Sequence, residues 1–441
     1  MSDDAEKQTT REAISAVPAL DTRATRDPED SKMSKKARLS AYFTIAAAAF
    51  GLISDGSSED LIFGICSRVA TADEYHTGEI IGQVFVGLIC DRIGRKAALV
   101  ITTLLIVIGA ILATAAHGAH GSVSGLLWFV AIARGITGVG VGGEYPASST
   151  SASEAANEKM AKNRGPVFIM VTNFVLSFGG PLAVCVFLIV LSAAGEDHLE
   201  TVWRVCFGIG VLLPLTVFYF RMRMLSPKLF RESAIKHRVP YWLAIKRYWR
   251  PLIGTCGAWF LYDFVTFPNG VFSGTIISSV IHDGSIRSTA EWQLLLGAIA
   301  LPGTSPFLNS LSRGPCVVHI MEDFVHQSYP TAIRGTCYGL SAAIGKTGAA
   351  IGTQAFTPIE NNLGKRWTFI IAAICGVAGV LVTYFFVPDL TGADLADEDV
   401  KWLRYLAENG WNGEVGDEGD EEALAEKISA GKEGDSVDEK A

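Results

Sequence analysis

Stretches of roughly twenty apolar residues recur along this chain, and that recurrence constrains its fold more than any other feature. Clear examples run at about 97–117, 125–146, 166–194, 202–220, 251–281, 332–357 and 367–387, with weaker ones near 40–66, 77–91 and 291–311. Segments of this length match the hydrocarbon core of a bilayer, where backbone N–H and C=O groups must be satisfied within the segment, so each is predicted to be a helix. About ten such spans predict an all-α integral membrane protein. The composition agrees, with 49% hydrophobic and only 19% charged residues.

The charges that remain are unevenly placed, and their placement predicts the topology. Lys35, Lys36 and Arg38 precede the first span, Arg92, Arg95 and Lys96 follow the second, and Lys159, Lys162 and Arg164 follow the fourth. The intervening loops His117–Ser124 and Ala194–Thr201 hold no lysine or arginine. Basic residues stay on the cytoplasmic side, so both termini are predicted there. The expected organisation is a polar tail over 1–38, a first helical bundle over 39–220, a basic linker over 221–250 lying along the inner membrane surface, a second bundle over 251–388 and an acidic tail over 389–441. The net charge of -8 comes largely from that last tail and says little about ligands. The basic run over 221–250 reads as a membrane-surface segment, with no nucleic-acid partner expected. Eight scattered cysteines without a CxxC pair read as packing residues, and no metal or other cofactor is expected.

The fourth span breaks the apolar pattern. Its segment RGITGVGVGGEY puts Arg134 and Glu144 inside a helix long enough to cross the membrane, and ionisable groups at that depth mark functional sites by default. Gly135, Gly138 and Gly142, spaced by three and four, line one face with almost no side chain, which lets a neighbouring helix pack close. The seventh span carries Trp259 and Asp263 at i and i+4 on one face, and Lys346 lies near the middle of the span beginning YPTAIRGT. A lysine there suits a phosphate as a point cation, or an ion pair with Asp263 or Glu144. Asn173, in VTNFVLSFGG, is a further candidate polar contact.

After the second span comes GLICDRIGRK, Gly87 to Lys96, a tight charged turn between two apolar helices. This resembles the signature loop of the major facilitator superfamily, and the resemblance extends over most of residues 35–405. It implies two pseudo-symmetric bundles around a central site, with about ten spans here where the family has twelve. In that loop Asp91 can face the N-terminus of a neighbouring helix while Arg92 and Arg95 bridge carboxylates on other helices. Gly87 and Gly94 shape the turn, and Glu154 and Arg164 look like the gate's counterpart charges. GVGGEYP looks like the phosphate:proton symporter branch, closest to fungal glycerophosphoinositol and glycerophosphocholine permeases. The matching Trp259 and Asp263 support this, whereas Phe267 stands where that branch has a tyrosine.

The resemblance implies proton-coupled uptake of a small anionic organic phosphate such as a glycerophosphodiester, by a monomer in the plasma membrane. Arg134, Tyr145, Asn173, Trp259 and Lys346 would bind substrate, and Asp55, Glu144 or Asp263 would carry the proton. A sugar or inorganic phosphate carrier, and a non-transporting relative, are the alternative readings. The chain departs from the family pattern at Ser57–His76, which leaves a second span of about fifteen apolar residues, and at Gly303–Gln327, where two spans are missing. Nothing in the sequence pairs a nucleophile with a base, so no enzyme is expected.

Overall fold

The computed structural model describes residues 72–160, 172, 174–224, 226–235, 239–280, 285–304, 328–388 and 395–411. The predicted span at 40–66, the missing-span region over 305–327, Asp55, Arg164 and Asn173 lie outside the described residues. Among the described residues the regular structure is helical: α1 Ala72–Arg92, α2 Arg95–Thr114, α3 Val123–Met160, α4 Val175–Ala194, α5 Leu199–Gly210, α6 Leu212–Arg223, α7 Lys228–Ser233, α8 Tyr241–Val280, α9 Ile286–Ala300, α10 Arg334–Leu363, α11 Lys365–Phe386 and α12 Leu395–Glu408.

Five segments are long and apolar enough to cross a membrane on composition alone: Arg95–Thr114, Val123–Asn157, Val175–Ala194, Glu196–Met222 and Arg366–Phe386. Their outward faces carry large apolar side chains, as at Ile108, Ile111, Ile132, Ile189, Ile374 and Val377. A soluble protein would not expose so many, but lipid accepts them without cost. Buried polar groups concentrate on α1, α3, α8 and α10, with α1 packed on α3 and α10 and α8 packed on α10.

In the first half, α1 and α2 both pack on α3, with α5 and α6 behind α2. In the second, α8 packs on α10 and α11. The halves meet along two seams, α1 against α10 and α4 against α9, which is the pseudo-symmetric arrangement expected of two facing bundles. Small residues make these approaches possible. A Cβ added at Gly138 would collide with the Tyr75 carbonyl and one at Gly142 with the Glu79 carbonyl, so the glycine face of α3 packs directly against the backbone of α1.

Helix α1 has 21 described residues, about 31 Å at the rise of an α-helix, and its first two turns carry Asp73, Glu74, His76 and Glu79, so the apolar part of the second span stays at the short length expected. The predicted span 202–220 lies within the membrane-length segment Glu196–Met222, whose two consecutive helices meet at Val211, with Pro214, which has no N–H, in the first turn of α6. Both ends of the basic stretch 221–250 are helical. Arg221 belongs to α6 and is buried, while Tyr241 to Arg250 continue without a break into the 40-residue α8.

Candidate functional site

The charged loop after α1 closes one end of the α1/α10 seam. Asp91 Oδ1 accepts from the Gly335 N–H at 2.9 Å, and Oδ2 accepts from the Thr336 N–H at 2.6 Å and the Thr336 hydroxyl at 2.7 Å. These are the first residues of α10, whose N–H groups have no intrahelical partner and favour an anion. Arg95 ties the carboxylate down at 2.7 Å and reaches across to Glu154 at 2.8 and 3.2 Å. Glu154 is shared with Arg334 from the second half, also at 2.8 Å. All four side chains are fully buried, two cations against two carboxylates. Such a network is held by its geometry, and removing one member costs about 3–5 kcal/mol because its partner stays buried and charged.

Asp91, Arg95 and Glu154 thus meet as the sequence suggested, and Gly94, at φ 129°, makes the turn into α2 that aims Arg95 inward. Gly87 packs against the Gly335 backbone. Among the described residues Arg92 bridges no carboxylate. It is exposed and donates to the Tyr241 hydroxyl at 3.3 Å, lying over that ring. Arg334 was missed in the sequence, although its place at the start of a span, in YPTAIRGT, was the available signal. Asp399 was missed too. From the amphipathic α12, it accepts from the Thr331 N–H and hydroxyl, which docks that helix beside this charge network. Burial pushes the Asp399 carboxyl up to about 6, against the opposing pull of Arg334 and the Thr331 hydrogen bonds.

Farther along the same seam lies a second charged cluster. Lys346 Nζ on α10 pairs with Glu79 on α1 at 3.1 Å and sits 3.9 Å above the Phe267 ring and 5.6 Å from the Tyr145 ring centre. His76 Nδ1 bonds the other Glu79 oxygen at 2.8 Å, and its ring meets Phe267 edge-on at 5.2 Å. Trp259 and Asp263 approach Gly345, beside Lys346, and Trp259 packs edge-on against Tyr338 at 5.1 Å. Arg134 is buried with its guanidinium 5.0 Å over the Tyr75 ring. Lys346, Tyr145, Trp259 and Asp263 are therefore neighbours, with Arg134 stacked on the helix turn next to His76. Beyond Lys346, away from the gate, α1 and α10 part around an open cavity of about 520 Å³ lined by Thr77, Ala350, Ile351, Gln354 and Ala355.

Glu144 is not part of this cluster. Its carboxylate pairs with Arg221 of α6 and accepts from the Thr102 and Ser148 hydroxyls, so it faces the interior of the first bundle. The physical reason is helical: consecutive residues point about 100° apart, and Tyr145 is the one that faces Lys346. The central carboxylate partner, Glu79, was not singled out in the sequence, nor were His76 and Gln83. Their signal was the weak hydropathy of the 77–91 span, in which Glu79 and Gln83 interrupt an otherwise apolar run.

This geometry can hold an anion at a buried cation between two helical halves and shut one end of the path with a charge network. The comparisons with known proteins agree. The family profile described as sugar (and other) transporter matches residues 69–235 and 306–402. The chain is 44% identical to glycerophosphoinositol permease 1 of Candida albicans, with 90% of this chain and 88% of that protein covered. It is 40% identical to glycerophosphoinositol transporter 1 of Saccharomyces cerevisiae, over 95% and 92%. Both alignments, of 464 and 484 positions, are longer than the 441-residue chain, so both open gaps within it. Among solved structures, a proton:xylose symporter bound to 6-bromo-6-deoxy-D-glucose superposes with a TM-score of 0.69 at 16% identity, covering 83% of this chain and all of that one. The profile, the relatives and the shared fold together make this chain an integral membrane transporter of the major facilitator superfamily, a member of its sugar (and other) transporter family.

Proposed function

We propose that the chain is a proton-coupled symporter of glycerophosphodiesters such as glycerophosphoinositol, acting in the plasma membrane with both termini cytoplasmic. The observation that carries this reading is Lys346, a buried cation at the meeting of the two halves whose built-in partner is the carboxylate of Glu79. A carboxylate already held there is the kind of group that a substrate anion can replace. The aromatic wall of Tyr145, Trp259 and Phe267 suits the apolar faces of an organic substrate better than a bare ion. Lys346, Tyr145 and Trp259 are assigned to substrate binding, with Arg134 one turn away. Asp91, Arg95 and Glu154 with Arg334 form the cytoplasmic gate, which opens when the halves rock apart. The relatives named as glycerophosphoinositol carriers support the choice of substrate.

Uptake of labelled glycerophosphoinositol by cells expressing the chain, competed with unlabelled glycerophosphocholine, inorganic phosphate and glucose, tests the reading. Competition by the diesters alone is the expected result. Stronger competition by phosphate or glucose makes it a carrier of that solute, and no uptake by a chain that reaches the membrane makes it a non-transporting relative.

A further inference from the structure

One stripe of α1 carries His76, Glu79, Gln83, Gly87 and Asp91, and all of it lies along the α10 seam. Glu79 meets Lys346, the Gln83 backbone packs on Gly339, Gly87 packs on Gly335, and Asp91 caps α10. Two members have unmet polar atoms. Both amide atoms of Gln83 and Nε2 of His76 are buried without a hydrogen-bond partner among the described residues, and the two side chains are 0% and 2% exposed. Buried polar atoms are normally satisfied, so two such groups flanking one ion pair point to a ligand that supplies the partners. With Nδ1–H donated to a carboxylate, His76 Nε2 is left as an acceptor, and Gln83 offers one donor group and one acceptor. Hydroxyl groups match that set.

We propose that Glu79 is the proton-coupling carboxylate and takes turns with the substrate phosphate at Lys346, while His76 and Gln83 bind hydroxyls of the polyol end. This rests on the glycerophosphodiester reading above. A proton from the open side binds Glu79, the Glu79–Lys346 ion pair separates, and a phosphodiester oxygen takes the ammonium. On the other side the diester leaves, the proton follows, and the pair re-forms. The pair is neutral in both end states, because Glu79 with Lys346 and protonated Glu79 with Lys346 and a monoanionic diester each sum to zero charge. A dianionic phosphate would leave the site one charge out of balance in a low-dielectric setting, which selects for diesters. Glu79 itself is met by His76 on its own helix and Lys346 on α10, and the other titratable or charged groups of the cluster are Tyr145 near Lys346, Arg134 stacked on Tyr75 and Asp263 on α8 beside Gly345. Glu144 cannot take this role while Arg221 holds it on another face.

The test uses the full chain in proteoliposomes with labelled glycerophosphoinositol. Glu79→Gln is expected to lose gradient-driven accumulation by about tenfold or more while still exchanging substrate at equal pH on both sides. Accumulation at the wild-type level overturns the proposal. Should the variant not insert, a pH dye in wild-type vesicles decides, with about one proton per diester expected from charge balance and none or two overturning it. Gln83→Leu is expected to raise about tenfold the concentration of unlabelled glycerophosphoinositol needed to compete; no change overturns the polyol assignment. No wild-type uptake of the diester overturns the substrate reading and the inference with it, whereas wild-type uptake with full accumulation by Glu79→Gln overturns the inference alone.

Discussion

Glu144 and Glu79 show how two carboxylates in the same bundle take different work from their neighbours. Glu144 is paired with Arg221 and bonded by Thr102 and Ser148, so its charge is satisfied within one bundle. Glu144→Ala is expected to destabilise the protein by about 3–5 kcal/mol, because Arg221 stays buried and charged, and replacing both residues by methionine is expected to recover most of that. Thermal unfolding in detergent checks it, and a pair as unstable as the single variant would show that charge is not the cause. Glu79 instead pairs across the seam between halves, with Lys346. Lys346→Ala is expected to abolish uptake, a loss of about a hundredfold or more, since it removes the cation placed at the seam for a charge-assisted bond to phosphate; near-normal uptake would remove Lys346 from the site.

At the level of helices, the α1/α10 seam works because backbone meets backbone. A Cβ added at Gly87 would lie 2.7 Å from the Gly335 carbonyl oxygen, and neither backbone can yield without parting the helices. Gly87→Ala is expected to hold the gate end ajar and cut transport about tenfold, seen as faster thiol labelling of the nearby buried Cys90 and Cys337; unchanged labelling would mean the seam tolerates the methyl. The docking of α12 should depend on pH. Asp399 lies outside the membrane-crossing helices, and burial raises its carboxyl from 3.8 to about 6. Its raised value means that docking is favoured while the group is protonated and loses that contribution as pH rises through about 6. Hydrogen exchange over 395–411 is therefore expected to slow as pH falls from 7 to 5 after correction for the intrinsic rate, and Asp399→Asn is expected to flatten the response. The α12 contact was illegible in the sequence because that helix carries an ordinary amphipathic pattern, which names an apolar face but not the surface it covers.

On the scale of the whole molecule, a ligand that binds the folded transporter should stabilise it by mass action. Glycerophosphoinositol at a hundred times its Kd is expected to add about 2.7 kcal/mol, read as a rise in Tm, with glucose giving none. The architecture was largely legible. Apolar length marked the helices, lysine and arginine gave an expected orientation, and the spacing in GLICDRIGRK pointed to a charged loop whose Asp91 and Arg95 do meet Glu154. Trp259, Asp263, Tyr145 and Lys346 also come together as their residue types suggested. What the sequence by itself determined is therefore the membrane fold, the family and most of the charged groups, because length, hydropathy and local motifs are properties of consecutive residues. Which carboxylate meets Lys346 was decided only by tertiary packing. Helical period tells which residues share a face of their own helix, but not which other helix that face meets. The close contacts of α1 with α3 and α10 put Glu79 at the central seam and turned Glu144 toward Arg221.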